Sequence, residues 1–76
     1  MDELKNLDSI DWEIINLKSR GLKDREIAEV IHFSPKTVKR RLSKLYERLE
    51  VHNSIQMLRK LNELGVDVWN IGRGSR

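Results

Sequence analysis

Apolar residues recur along this chain at spacings of three and four, the pattern of helices that each bury one face. Ile10, Ile14 and Leu17 form the first such stripe, with Ile15 and Trp12 at its edges, and predict a helix from about Ser9 to Ser19. Asp8 precedes it as a capping residue, and Asp11, three positions on, can return a bond as in a capping box. Gly21 can adopt the left-handed conformation that ends a helix. A second helix, from about Asp24 to His32, carries Ile27, Ala28, Val30 and Ile31. A short turn over 32–34 follows. Ser34 as cap and Pro35 at the first helical position, where a missing N–H costs nothing, then open a third helix that runs to about Leu49. Its stripe is Val38, Leu42, Leu45 and Leu49. Asn53 caps a fourth helix from about Ser54 to Leu64, closed by Gly65. Beyond it the periodicity is lost.

These elements predict an all-α fold of four short helices: an extension over 1–6, one domain over 7–65 and a tail over 66–76, its last five residues expected to lack order. Seventy-six residues suffice for one small domain and leave no room for a deep substrate cleft beside it. There is no cysteine, so disulfides and thiolate metal sites are excluded, as a reducing cytoplasm would allow. No window approaches the roughly 20 apolar residues of a membrane span. The opening "MDELKNLDS" is acidic and polar, unlike a signal peptide. The expected location is the cytoplasm.

The net charge of +3 hides a division. Residues 1–13 hold five acidic groups and one lysine, a charge of −4, whereas residues 36–48 hold six basic groups and one glutamate, a charge of +5. A few charges keep a helix soluble. Six of one sign on the third helix, Lys36, Lys39, Arg40, Arg41, Lys44 and Arg48, instead mark a polyanionic partner. Two helices joined by a turn of three or four residues, the second capped and basic, form a helix-turn-helix unit, whose second helix lies in the DNA major groove. The stripe 38-42-45-49 leaves Lys36, Lys39, Arg40 and Ser43 on the opposite side, placed to meet base edges. Thr37, Arg41, Lys44 and Arg48 flank them within reach of phosphates.

Other chemistry finds no support in the residues. His32 and His52 stand without acidic or cysteine neighbours at metal-ligand spacing. Thr37 and Ser43 lack a base that could activate a hydroxyl, and no glycine-rich loop could cradle a phosphate. Trp12 and Trp69 are expected to pack rather than stack on bases. The expectation is therefore a non-enzyme without cofactor or metal.

Taken together, "REIAEVIHFSPKTVK" (25–39), "LEVHN" (49–53) and Gly21 give residues 7–65 a resemblance to the LuxR/GerE-type DNA-binding domain of bacterial transcription regulators. The resemblance implies a four-helix domain with a recognition helix at 35–49 and a fourth helix often used for dimerisation. It also implies DNA contacts at Thr37, Lys39, Arg40 and Ser43. The chain departs from the family pattern at several places. Ile10 and Asp11 stand where an Arg-Glu pair is usual, Lys23 where a Ser or Thr cap is usual, Arg41 where a His is frequent, and Ser54 where an Arg follows the asparagine.

The expected function is a sequence-specific transcription regulator on double-stranded DNA, acting as a homodimer through Ile55, Leu58 and Leu61 of the fourth helix, with RNA polymerase as a further candidate partner. The tail residues Val66, Val68 and Trp69 could cover that apolar face instead. Beginning at Met1 without a receiver or ligand domain, the chain resembles the short stand-alone members of the family; an excised C-terminal output domain would read the same way. Two alternatives share the helical core. One is the promoter-reading region of a sigma factor, which normally lacks the fourth helix. The other is a protein-interaction module docking through that helix.

Overall fold

A computed structural model describes residue 4 and residues 6–67, and these form four helices: α1 Ser9–Ser19, α2 Asp24–Ile31, α3 Pro35–Leu49 and α4 Ser54–Glu63. The all-α class and the four helices are as the apolar spacing predicts. Of the expected tail, Val66 and Asp67 are described, whereas Val68, Trp69 and the residues after them lie outside the described residues.

The local signals act where expected. Asp8 caps α1, its Oδ1 accepting the Asp11 N–H at 2.9 Å while Asp11 Oδ2 accepts the Asp8 N–H at 3.3 Å. Two orphan donors of the first turn are satisfied reciprocally. Ser34 Oγ accepts the Thr37 N–H at 3.1 Å with Pro35 at the first helical position, and Asn53 Oδ1 accepts the Gln56 N–H at 2.8 Å. Gly21 and Gly65 end α1 and α4 with φ of 89° and 86°. Lys23, which has no acceptor to offer, caps α2 only through its backbone: Glu26 Oε1 accepts the Lys23 N–H at 2.8 Å.

Two helix ends depart from expectation in conformation. His32 and Glu50 take the left-handed conformation, φ 63° and 60°, although neither is glycine. His32 is thus the cap of α2, which ends at Ile31 with the apolar run rather than at His32 as expected, and α4 likewise ends at Glu63, one residue before the expected Leu64. Each left-handed cap continues into an apolar contact: Phe33 N–H bonds the Ala28 carbonyl and Val51 N–H the Tyr46 carbonyl, turning Phe33 and Val51 back onto the core. That packing offsets a conformational cost of about 1 kcal/mol per residue.

The core draws on all four helices. Val38, Leu42, Leu45 and Leu49, the whole stripe of α3, are buried with Ile14, Ile15, Ile27, Ala28, Ile31, Met57 and Leu61. Full burial of an aliphatic side chain contributes roughly 1.5–3 kcal/mol, so the four-residue stripe alone anchors α3 firmly. α1 and α3 each pack on every other helix, whereas α2 and α4 do not meet. Ile15 is fully buried rather than at the edge of its stripe, and Val30 stands half exposed because it falls off the 27-28-31 face. Tyr46 is partly enclosed, and burial, aided by the nearby Asp24 charge, pushes its phenol above the usual range.

Candidate nucleic-acid interface

With one stripe of α3 committed to the core, the remaining positions are fixed by helix geometry. Lys36, Lys39, Arg40, Ser43, Lys44 and Arg48 are all exposed. Thr37 is half-buried, its Oγ1 sharing a 2.9 Å hydrogen bond with Ser34 Oγ at the cap. Seven of the eight expected contact residues thus stand on the solvent side of α3 and form no ion pair among the described residues.

Arg41 is the eighth, and its surroundings correct the simple picture of a free phosphate-seeking cation. Its Nη1 donates to Asp8 Oδ1 at 3.1 Å, Asp8 Oδ2 at 3.2 Å and Asp11 Oδ1 at 3.0 Å. Its guanidinium carbon also lies 5.9 Å from the centre of the Phe33 ring, within range of a cation–π contact. Burial works against the Arg41 charge, but the two carboxylates more than offset it, and the guanidinium is held above its usual range. Asp8 responds in the opposite sense: the Asp11 N–H foremost, with Arg41 adding to it, draws its carboxyl below the usual range.

The same contact joins the start of α1 to the middle of α3: Arg41 Nη1 and Asp11 Oδ1 meet at 3.0 Å. Asp8, Asp11 and Phe33 therefore belong to this region although nothing in their local sequence marks them as such. The only available signal was the opposition of an acidic amino-terminal segment to a basic helix.

Between the segment before α1 and the face of α3 lies a cavity of about 330 Å³ lined by Leu7, Asp11, Thr37, Arg40, Arg41, Lys44, Leu45 and Arg48. Four cations and one carboxylate face it, so it favours an anion. A second, more open groove between the starts of α2 and α3 mixes Lys23, Arg25, Lys36 and Lys39 with Asp24, Glu26 and Glu29. Lys18 Nζ pairs with Asp24 Oδ1 at 3.0 Å beside it.

The three expected contact residues of α4 separate. Ile55 is 72% exposed, Leu58 is partly buried against the core, and Leu61 is 0% exposed. Leu61 is therefore a core residue and is corrected from the expected contact face; Met57, on the same stripe, is buried with it. Leu64 is exposed at 43%. Ile55 and Leu58 border a groove closed on its far side by Gly65, Val66 and Asp67. Val66 packs on the core, its N–H bonded to the Leu61 carbonyl at 3.0 Å.

Among the described residues no group of three or more His, Cys, Asp or Glu side chains is placed to hold a metal ion, and no helix is long and apolar enough to cross a membrane.

A short turn between two packed helices, the second presenting a capped and basic outer face, defines a helix-turn-helix domain. Residues 6–61 match the sequence model of the GerE family, bacterial regulatory proteins of the luxR family, and the chain belongs to that family. It is also 38% identical over 60 residues to the "Putative HTH-type transcriptional regulator YhjB" of Escherichia coli (strain K12), an alignment covering 79% of this chain and 30% of that protein. The chain thus matches less than a third of that relative's length. No solved structure matches the chain.

Proposed function

We propose that this domain binds double-stranded DNA in a sequence-specific manner and thereby regulates transcription. α3 enters the major groove with Lys36, Lys39, Arg40 and Ser43 toward base edges. Thr37, Lys44 and Arg48, at the margins of that face, take the phosphates, with Arg41 beside them. The observation that carries this reading is the division of α3 into a fully buried apolar stripe and an exposed basic face. That face sets six cations against one exposed glutamate, Glu47, whereas a helix needing charge only for solubility would balance the signs. Membership of the luxR regulatory family points the same way.

The domain acts as a dimer through α4, with Ile55 at the centre of the contact and Leu58 beside it. Support comes from the 72% exposure of Ile55 next to the partly buried Leu58 on one groove of α4, since exposed apolar surface on a small domain marks an interface. Two copies related by a two-fold axis would present their α3 helices to half-sites about 10 base pairs apart.

Selection of preferred sites from random DNA duplexes tests both parts. Enrichment of a two-fold-related sequence is the expected result. Recovery of an unpaired site would remove the dimer and keep the DNA reading, and recovery of no preference at all would remove sequence-specific binding.

A further inference from the structure

Arg41 is held in an unusual way for a cation on a nucleic-acid face. All three of its hydrogen bonds leave from Nη1, to Asp8 and Asp11, so its Nε and Nη2 donate to no group among the described residues. A guanidinium has five N–H donors in a rigid fork. Here one nitrogen is tied down by carboxylates, and the opposite edge keeps the geometry that engages a phosphate with two parallel bonds. Arg41 lines the 330 Å³ cavity together with Thr37, Arg40, Lys44 and Arg48. Asp8 and Asp11 are in turn fixed by the capping box of α1, so the whole assembly is anchored to the start of a helix.

We infer that this cavity seats one phosphate of the DNA backbone, and that Asp8 and Asp11 are positioning residues that aim Arg41 at it. The inference rests on the DNA-binding reading above and assigns a role to two acidic side chains that general electrostatics would count as unfavourable to DNA. Two opposite signs follow from two roles. Carboxylates that merely compete with phosphate for Arg41 weaken binding, and removing their charge would tighten it. Carboxylates that hold Arg41 in register strengthen binding, because the side chain is ordered before the phosphate arrives.

The test uses Asp8→Asn and Asp11→Asn, singly and together. Asparagine keeps an acceptor for the first-turn N–H groups, so the cap of α1 survives while the charge is lost. The double variant gains two units of positive charge, yet duplex binding should weaken about fivefold, the equivalent of one charge-assisted bond impaired. Its dependence of log K on log salt should become shallower by about 0.9, the change expected when one fewer phosphate is neutralised. Asp11→Glu, which restores the charge, should recover most of the affinity. Scanning the duplex with single uncharged methylphosphonate linkages supplies a readout that a purely structural role would not move. One linkage should weaken the parent protein and leave Arg41→Gln and the double variant indifferent.

Tighter binding by a folded double variant would overturn the inference in favour of competition, and the same linkage weakening all proteins equally would place the phosphate elsewhere. If the double variant unfolds, Asp8→Asn, whose side chain is the more exposed of the two, gives the same comparison. Failure of the parent protein to bind any duplex would instead defeat the DNA reading, and this inference with it.

Discussion

Lys39 and Arg40 are adjacent and exposed on α3, clear of the buried stripe that holds Val38 and Leu42, so each should read sequence rather than charge. Replacing either with alanine is expected to cost roughly 1–3 kcal/mol on the selected site and much less on random duplex. Titrations on both duplexes check this, and equal losses would reassign the residue to the backbone. These placements were legible in the sequence because they depend only on helical spacing and on which stripe is apolar. Arg41 was legible as a surface-facing cation but not in its partners. Asp8 and Asp11 lie about thirty positions away, and no local rule pairs residues across that distance. Asn16 shows the opposite case: a polar residue buried in α1, its Oδ1 accepts the Arg20 Nε–H at 3.1 Å, a pairing at the four-residue spacing that helix geometry brings together. Leu61 was misplaced for a different reason. α4 carries more apolar positions than one face needs, and only the packing of α1 and α3 decides which of them go inside.

The helices were readable because their ends are local chemistry. Asp8, Ser34 and Asn53 each bond a backbone N–H three residues on, and such caps act within a single turn. Left-handed ends were readable only where glycine marks them. His32 and Glu50 adopt that conformation because Phe33 and Val51 must turn back onto the core, a tertiary cause. The contrast makes two predictions about stability. Gly21 has open space around an added Cβ, so the strain in Gly21→Ala is conformational. Unfolding in urea should show a loss of about 1–2 kcal/mol. Glu50→Gly should be neutral or stabilising by up to about 1 kcal/mol, because glycine relieves the same strain while the exposed glutamate side chain supports little packing. A large loss in Glu50→Gly, or none in Gly21→Ala, would show that these caps do not set the ends of α1 and α3.

At the scale of the molecule, the basic face of α3 and the exposed side of α4 are separate surfaces on one small core, so the proposed DNA contact and the proposed dimer contact can be tested independently. Ile55 is the position that tests the second surface cleanly. Leu58 is partly packed on the core, so a charge there would disturb the fold as well as the contact, whereas Ile55 is largely in solvent. Ile55→Glu should leave the helical signal and melting unchanged while abolishing cooperative binding to a paired site; retained cooperativity would assign α4 another role. The central claim is that α3 faces the phosphates and bases of a duplex, and the salt dependence of binding tests it most directly. With Lys44, Arg48, Arg41 and the cap region of α3 each meeting a phosphate, log K should fall linearly with log salt at a slope of about −3 to −4 per domain. Binding that is indifferent to ionic strength, or too weak to measure even at low salt, would contradict the account.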